Sequence, residues 1–168
     1  MKNKLTGIIL IVLIALAAGW GIMWYIRKTI APKMKFETTE LLLAGTNTKT
    51  TINNLKGNVV IVSFFKTWCG PCIREMYIFD ELLTTVNSGN FKILCISDED
   101  TNRIKRLQSR FTPGNIGFAI TAESLSSLGI HVYPTTYLLN KKGEVILSKL
   151  EGYNWLLEKE TIEKLIAE

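Results

Sequence analysis

The sequence predicts an α/β domain with a mixed central sheet flanked by helices. Three observations predict it. Two near-continuous apolar runs, 59–65 and 91–97, have the composition of strands buried on both faces. Each is followed by a stretch of helical character, so strands and helices alternate. Finally, Thr135–Leu139 and Val145–Leu150 flank the turn Lys141-Lys142-Gly143 and read as a hairpin, which adds antiparallel pairing to the sheet.

The elements follow in order. Lys35–Leu43 reads as a short strand, and Ala44–Lys56 as a polar connection ending in the turn signal Lys56-Gly57. After the buried strand 59–65, Ile73–Thr85 is amphipathic: Ile73, Met76, Tyr77, Phe79, Leu82, Leu83 and Val86 follow helical spacing. Asn87-Ser88-Gly89-Asn90 is a turn before the strand 91–97. Asp98, Asp100 and Thr101 offer caps for a polar helix running to about Phe111, where Pro113-Gly114 stops it. Ile116–Ile120 reads as a strand and Ser124–Leu128 as a short helix closed by Gly129. Glu158–Ala167 is a last amphipathic helix. No repeat or low-complexity tract interrupts this order.

The charge is unevenly placed. The chain carries a formal charge of +5. Lys2, Lys4, Arg27, Lys28, Lys33 and Lys35 fall in residues 1–35, which hold no acid, so residues 36–168 carry 14 basic and 15 acidic side chains. Binding nucleic acid takes an excess of basic groups to neutralise phosphates, and the domain lacks one; that class is set aside. The cluster Arg103, Lys105, Arg106, Arg110 reads most simply as a solvated helix face.

Leu5–Ile26 is a 22-residue stretch without a charge, long enough to cross a bilayer as a helix. Trp20, Trp24 and Tyr25 gather at its far end, as interfacial aromatics do. A cleavable signal peptide is the rival, since Ala15-Leu16-Ala17 resembles a cleavage site, but the apolar run continues nine residues beyond it. The predicted order is therefore a tail (1–4), a transmembrane signal anchor (5–26), a basic linker (27–35) and a domain (36–168). Basic residues flank both ends of the span, so their distribution does not orient it. A four-residue tail before a single span is the layout of a signal anchor and puts the domain outside the cytoplasm, periplasmic or on the outer face of the cytoplasmic membrane. The pair Cys69 and Cys72, most useful on a tether where no soluble thiol reductant exists, points the same way.

The chemistry centres on Trp68-Cys69-Gly70-Pro71-Cys72, set where the strand 59–65 ends and a helix begins. A helix N-terminus offers unpaired N–H groups and partial positive charge, which favour a thiolate. Cys69 is the expected exposed nucleophile and Cys72, a turn further in, the resolving thiol. Pro71 suits a first helical turn, where its missing N–H costs nothing. Half a zinc site is the competing reading, but four ligands are needed and only Cys95 and His131 remain among cysteines and histidines. A purely structural disulfide over so small a loop would constrain little. The pair reads as a redox dithiol needing no other cofactor or metal. Cys95, mid-strand, reads as a small buried hydrophobe rather than a third redox partner, and His131 as a loop residue.

Two motifs, 64–72 (Phe64 through Cys72) and 132–140 (Val132-Tyr133-Pro134-Thr135-Thr136-Tyr137-Leu138-Leu139-Asn140, then Gly143), resemble the thioredoxin superfamily, and more narrowly its membrane-anchored TlpA/ResA-like branch. The resemblance covers residues 36–168. It implies a thioredoxin-like fold with a central insertion, placed at 100–121 because 62 residues separate Cys72 from Pro134. It implies that Pro134 is cis and lies against the disulfide, and that Tyr133 and Thr135 border the docking surface, the backbone of Tyr133 offering strand-like hydrogen bonds to a polypeptide. Glu75 matches the acid of the branch's Cys-x-x-Cys-x-x-Glu pattern, which tunes proton transfer; a solvated first-turn glutamate is the alternative. Trp68, Gly70 and Pro71 complete the expected site. Ser63 stands where simple thioredoxins carry a buried Asp, leaving Glu75, water or no group at all as the general base. Tyr77 replaces a Pro common in the branch. Lys66 either lowers the Cys69 pKa or snorkels to solvent.

The resemblance implies a thiol–disulfide oxidoreductase acting on disulfides of exported proteins, as in cytochrome c maturation, with a membrane thiol carrier as electron donor. The Gly-Pro dipeptide is that of reducing thioredoxins, at about −270 mV, which favours a reductant. The alternatives are a disulfide-donating oxidase or isomerase of the same fold, a copper chaperone using both thiols and a histidine, and a peroxiredoxin-like peroxidase.

Overall fold

The computed structural model of the chain describes residues 12–21, 36–46 and 48–168. It divides into two units, Met1–Lys33 and Met34–Glu168. In the first, residues 12–21 form helix α1. The rest of the expected 5–26 span and the linker 27–35 lie outside the described residues. Among the described residues no helix is long and apolar enough to cross a membrane.

The second unit is a seven-stranded sheet in the order β2-β1-β5-β4-β3-β6-β7. Its strands are β1 (Leu41–Leu43), β2 (Lys49–Thr50), β3 (Val59–Phe64), β4 (Phe91–Ser97), β5 (Ile116–Thr121), β6 (Thr135–Leu139) and β7 (Val145–Leu150). Three further helices are α2 (Gly70–Val86), α3 (Thr101–Gln108) and α4 (Lys159–Ala167). β3, β4 and β5 run parallel, and β6 and β7 add the antiparallel hairpin beside β3. The sheet is mixed, as the alternation of elements predicts. All six residues of β3 are buried, which explains why its sequence lacks polar alternation.

Four local expectations need correction. Of the expected strand 35–43, residues 36–43 are described, and among them only Leu41–Leu43 is strand, because β1 meets β5 over three pairs, from Leu41 opposite Thr121 to Leu43 opposite Ala119; Phe36–Thr38 is a 3-10 turn. The connection 44–56 holds β2 and a second 3-10 turn, Ile52–Leu55, pinned by buried Ile52. Residues 124–128 form a turn rather than a helix: serines at 124, 126 and 127 bond one another and local backbone, and only Leu125 is fully buried. α3 stops at Gln108, short of Phe111, which packs on Tyr77 and Phe118 with ring centroids 5.1 and 6.0 Å apart.

Met76, Phe79 and Leu82 of α2 are fully buried in a cluster that also holds Phe65, Ile93, Phe118 and Trp155. Each such side chain removed from water contributes about 1.5–3 kcal/mol. α2 runs unbroken through Tyr77, whose ring is exposed. After β7 the chain reverses through Glu151 and Gly152 at φ 64° and 74°, conformations that favour glycine. A Cβ on Gly152 would stand 3.4 Å from the Pro71 ring, so this reversal lies against the start of α2.

Candidate active site

β3 carries the chain to the site and α2 leaves from it. Cys69 is the N-cap of α2, and its Sγ accepts the N–H of Cys72 at 3.2 Å. The two sulfurs are joined: S–S 2.07 Å, Cα–Cα 5.3 Å. The first turn of the helix thus directs the Cys72 N–H at the sulfur the sequence singles out as nucleophile. Cys69 is 5% exposed and Cys72 1%. Cys69 is therefore more covered than expected, because in the disulfide it joins the apolar cluster against which Tyr133 packs. The accessible rim above it is made by Trp68 (70% exposed), Gly70 and Pro71.

The Tyr133–Pro134 bond is cis, and Pro134 is buried. Trp68 meets Tyr133 edge to face, 6.2 Å between centroids. The Thr135 side chain is buried, and its hydroxyl donates to Val132 O at 2.7 Å, so it braces the loop from inside.

Glu75 is 2% exposed, one turn after Cys72, and is not the solvated helix residue that its position also allowed. Its Oε1 accepts from the Trp155 indole at 2.9 Å and from the Tyr153 N–H at 3.3 Å. Its Oε2 lies 3.1 Å from Ser63 Oγ and 2.8 Å from Thr136 Oγ1, and the two hydroxyls are 2.9 Å apart. Burial pushes the Glu75 pKa above its ordinary value, and these donors only partly oppose it. Ser63, in place of an aspartate, thus faces a carboxyl delivered from α2.

Lys66 is ion-paired with Asp98, and its ammonium lies 5.6 Å from the Tyr133 ring centroid. It neither hangs free in solvent nor stands unpaired beside the thiols. Burial raises the Asp98 pKa, but hydrogen bonds from Lys66 and the Leu125 N–H and the Lys66 charge outweigh it, holding Asp98 below its ordinary value. Glu99 accepts from both the N–H and the hydroxyl of Thr67. Cys95 is completely buried, opposite Ser63 in the β3–β4 register, and its thiol pKa is pushed well up, first by burial and then by Glu75. His131 is an exposed loop residue.

Sequence reasoning did not find Trp155, Thr136, Tyr153 or Asp98. Thr136 lies inside a quoted motif, and a tryptophan in the otherwise polar Tyr153-Asn154-Trp155 was the available signal for the C-terminal donors.

A strand-to-helix disulfide in the cluster on which Tyr133 packs, with exposed Trp68 edge to face with that Tyr133 ring and a cis bond from Tyr133 to Pro134, is the arrangement of a thioredoxin-like protein. Residues 29–166 match the Redoxin family, and the chain belongs to it. Within it the chain is similar to TlpA/ResA-like members of the thioredoxin superfamily. It is 26% identical over 118 residues to "Thiol-disulfide oxidoreductase ResA" of Bacillus thuringiensis (strain Al Hakam), covering 62% of this chain and 66% of that protein. It is 26% identical over 157 residues to "Thioredoxin-like protein YneN" of Bacillus subtilis (strain 168), covering 86% and 88%. The chain thus spans just under two thirds of that ResA relative and most of YneN. StoA from Bacillus subtilis shares the fold at TM-score 0.58 and 21% identity, over 74% of this chain and 97% of StoA. Copper-bound ScoI from Arabidopsis thaliana does so at 0.63 and 16%, over 77% and 96%, a likeness of fold alone.

Proposed function

We propose that the protein is a membrane-tethered thiol–disulfide oxidoreductase that reduces disulfides in exported proteins. The observation that carries the reading is the Cys69–Cys72 disulfide at the N-terminus of α2, with Cys69 the less buried sulfur under an exposed Trp68. Names of relatives such as ResA support it.

In the reduced protein the Cys69 thiolate attacks one sulfur of the substrate disulfide. The substrate's other sulfur leaves as a thiolate and takes up a proton. Cys72 then loses its proton and attacks Cys69 Sγ, releasing the second substrate thiol and closing the Cys69–Cys72 disulfide. Two electrons pass to the substrate, and a membrane thiol carrier returns two. Trp68 and the Tyr133 loop border the docking surface. The uncharged stretch Leu5–Ile26 supports an anchor in the cytoplasmic membrane with the domain extracytoplasmic, and a cytochrome c maturation-like role is consistent with the ResA relatives.

The test is insulin reduction by the full chain in neutral detergent. Cys69→Ser abolishes it; unchanged activity overturns the reading. The reduction potential then fixes direction. A value near or below about −250 mV marks a reductant, and one between about −120 and −180 mV marks a disulfide donor or isomerase instead.

A further inference from the structure

A recess of about 230 Å³, whose walls are Thr67, Arg103, Arg106, Leu107 and Arg110, includes a residue two positions before Cys69. Three of the five are arginines. Positions 103, 106 and 110 recur at the spacing that brings side chains to one helix face, with Arg110 in the turn just after α3. Arg106 and Arg110 make no ion pair among the described residues, and Arg103 has only Glu99 at 3.8 Å, an acid already engaged by Thr67. Like charges on one helix face repel one another, and among the described residues only the Arg103–Glu99 pair offsets that. The domain as a whole is near neutral, with 14 basic and 15 acidic side chains in residues 36–168, so the patch is a local concentration of charge.

We infer that this recess receives carboxylate side chains flanking the disulfide of the polypeptide being reduced, and so selects acidic substrates. The inference rests on the oxidoreductase reading and adds a substrate class to it. Three points carry it. Guanidinium forks match carboxylates in planar, paired hydrogen bonds. The recess shares Thr67 with the site, two residues from Cys69, which limits the Cα separation of the two to about 7 Å. A segment with its disulfide at Cys69 reaches the recess with residues only about three to five positions away, at roughly 3.3 Å per extended residue. An anionic lipid headgroup has the same charge, but a wall shared with the Cys69 loop favours a ligand carried on the molecule that reaches Cys69.

The experiment uses the reduced full chain in neutral detergent and two synthetic peptides with the same internal disulfide, one flanked by Asp and Glu, the other by Ser and Asn. The acidic peptide is reduced with a KM about three- to tenfold lower and a similar kcat, the range that one or two partly exposed ion pairs supply. The preference collapses in 1 M salt, where screening reaches about 3 Å. In the Arg106→Ala/Arg110→Ala variant the acidic-to-neutral ratio of kcat/KM falls to about one, and Arg106→Lys/Arg110→Lys, which keeps the charge, retains much of it. Equal rates for the two peptides with the native protein overturn the inference while leaving the oxidoreductase reading standing. Reduction of neither peptide overturns both. A preference that survives the alanine variant, while that variant alone loses sedimentation with phosphatidylserine-containing vesicles, overturns it in favour of a lipid-facing patch.

Discussion

The indole N–H of Trp155 donates to Oε1 of Glu75 at 2.9 Å, joining groups eighty residues apart in the chain. Trp155 is fully buried, and Tyr153, edge-on to it at 5.5 Å, adds its N–H to the same oxygen. The acid one turn behind the disulfide is thus held from two sides: by hydroxyls of β3 and β6, and by the segment after β7. Its protonation and its anchoring can be tested separately.

Glu75 binds its proton more tightly folded than unfolded, since burial raises its pKa from 4.5. Folding therefore loses stability from this group as pH rises from 4.5 through the raised value. Glu75→Gln keeps the shape, with the amide oxygen toward Trp155 and the NH₂ toward the two hydroxyls, and removes the titration. Denaturation midpoints across pH are expected to show the variant gaining on the native protein as pH increases over that window. Parallel curves contradict this.

Trp155→Phe keeps an aromatic ring but loses the pyrrole half of the indole, deleting one donor and leaving a small cavity at a fully buried position. Glu75 then has one fewer partner in a dry site, a loss of about 1–3 kcal/mol. Urea denaturation measures it. In a double-mutant cycle with Glu75→Gln the two costs fall short of additive, because both changes act on one hydrogen bond. Strict additivity disproves the coupling.

Much of this was legible beforehand, and the limits are physical. The buried strands, α2 and the β6–β7 hairpin are written in local patterns of hydrophobicity and turn chemistry. The cysteine pair announces itself by spacing and by its strand–helix junction. The surroundings of Glu75 are not local: Ser63, Thr136 and Trp155 meet only because β3, β6 and the post-β7 reversal converge. The fate of Lys66 likewise depends on Asp98, delivered by the end of β4. At 124–128 the apolar residues suggest a helix, but serine side chains compete for the backbone and win.

Asp98 is held as a carboxylate below its ordinary value of 3.8. Its stabilisation is present above 3.8 and is lost as pH falls through the lower folded value. Asp98→Asn leaves Lys66 without its partner at a site where both side chains are mostly covered, at 17% and 15% exposure. The expected loss at neutral pH is about 1–3 kcal/mol, shrinking as acid protonates the native carboxylate. Thermal melts at pH 7 and in strong acid compare the two; a gap that does not narrow counts against the assignment.

Cys95 is predicted to be silent. Its burial and raised pKa leave little thiolate and no access for reagents. Reduced protein should react with two equivalents of a thiol reagent when folded and three when unfolded. Cys95→Ala should leave the count on folded protein at two. A third thiol titrating in the native state reverses this view.

The dependence of Glu75 on Trp155 and Tyr153 also sets an order of assembly. A chain emerging N-terminus first exposes both cysteines long before the residues that hold Glu75 from the C-terminal side have been made. The cysteine pair exists early, but Glu75 is fully held only when the segment 151–155 folds back past Pro71. A nascent chain, or one truncated before Tyr153, thus carries the cysteine pair with Glu75 lacking two of its four hydrogen-bond partners.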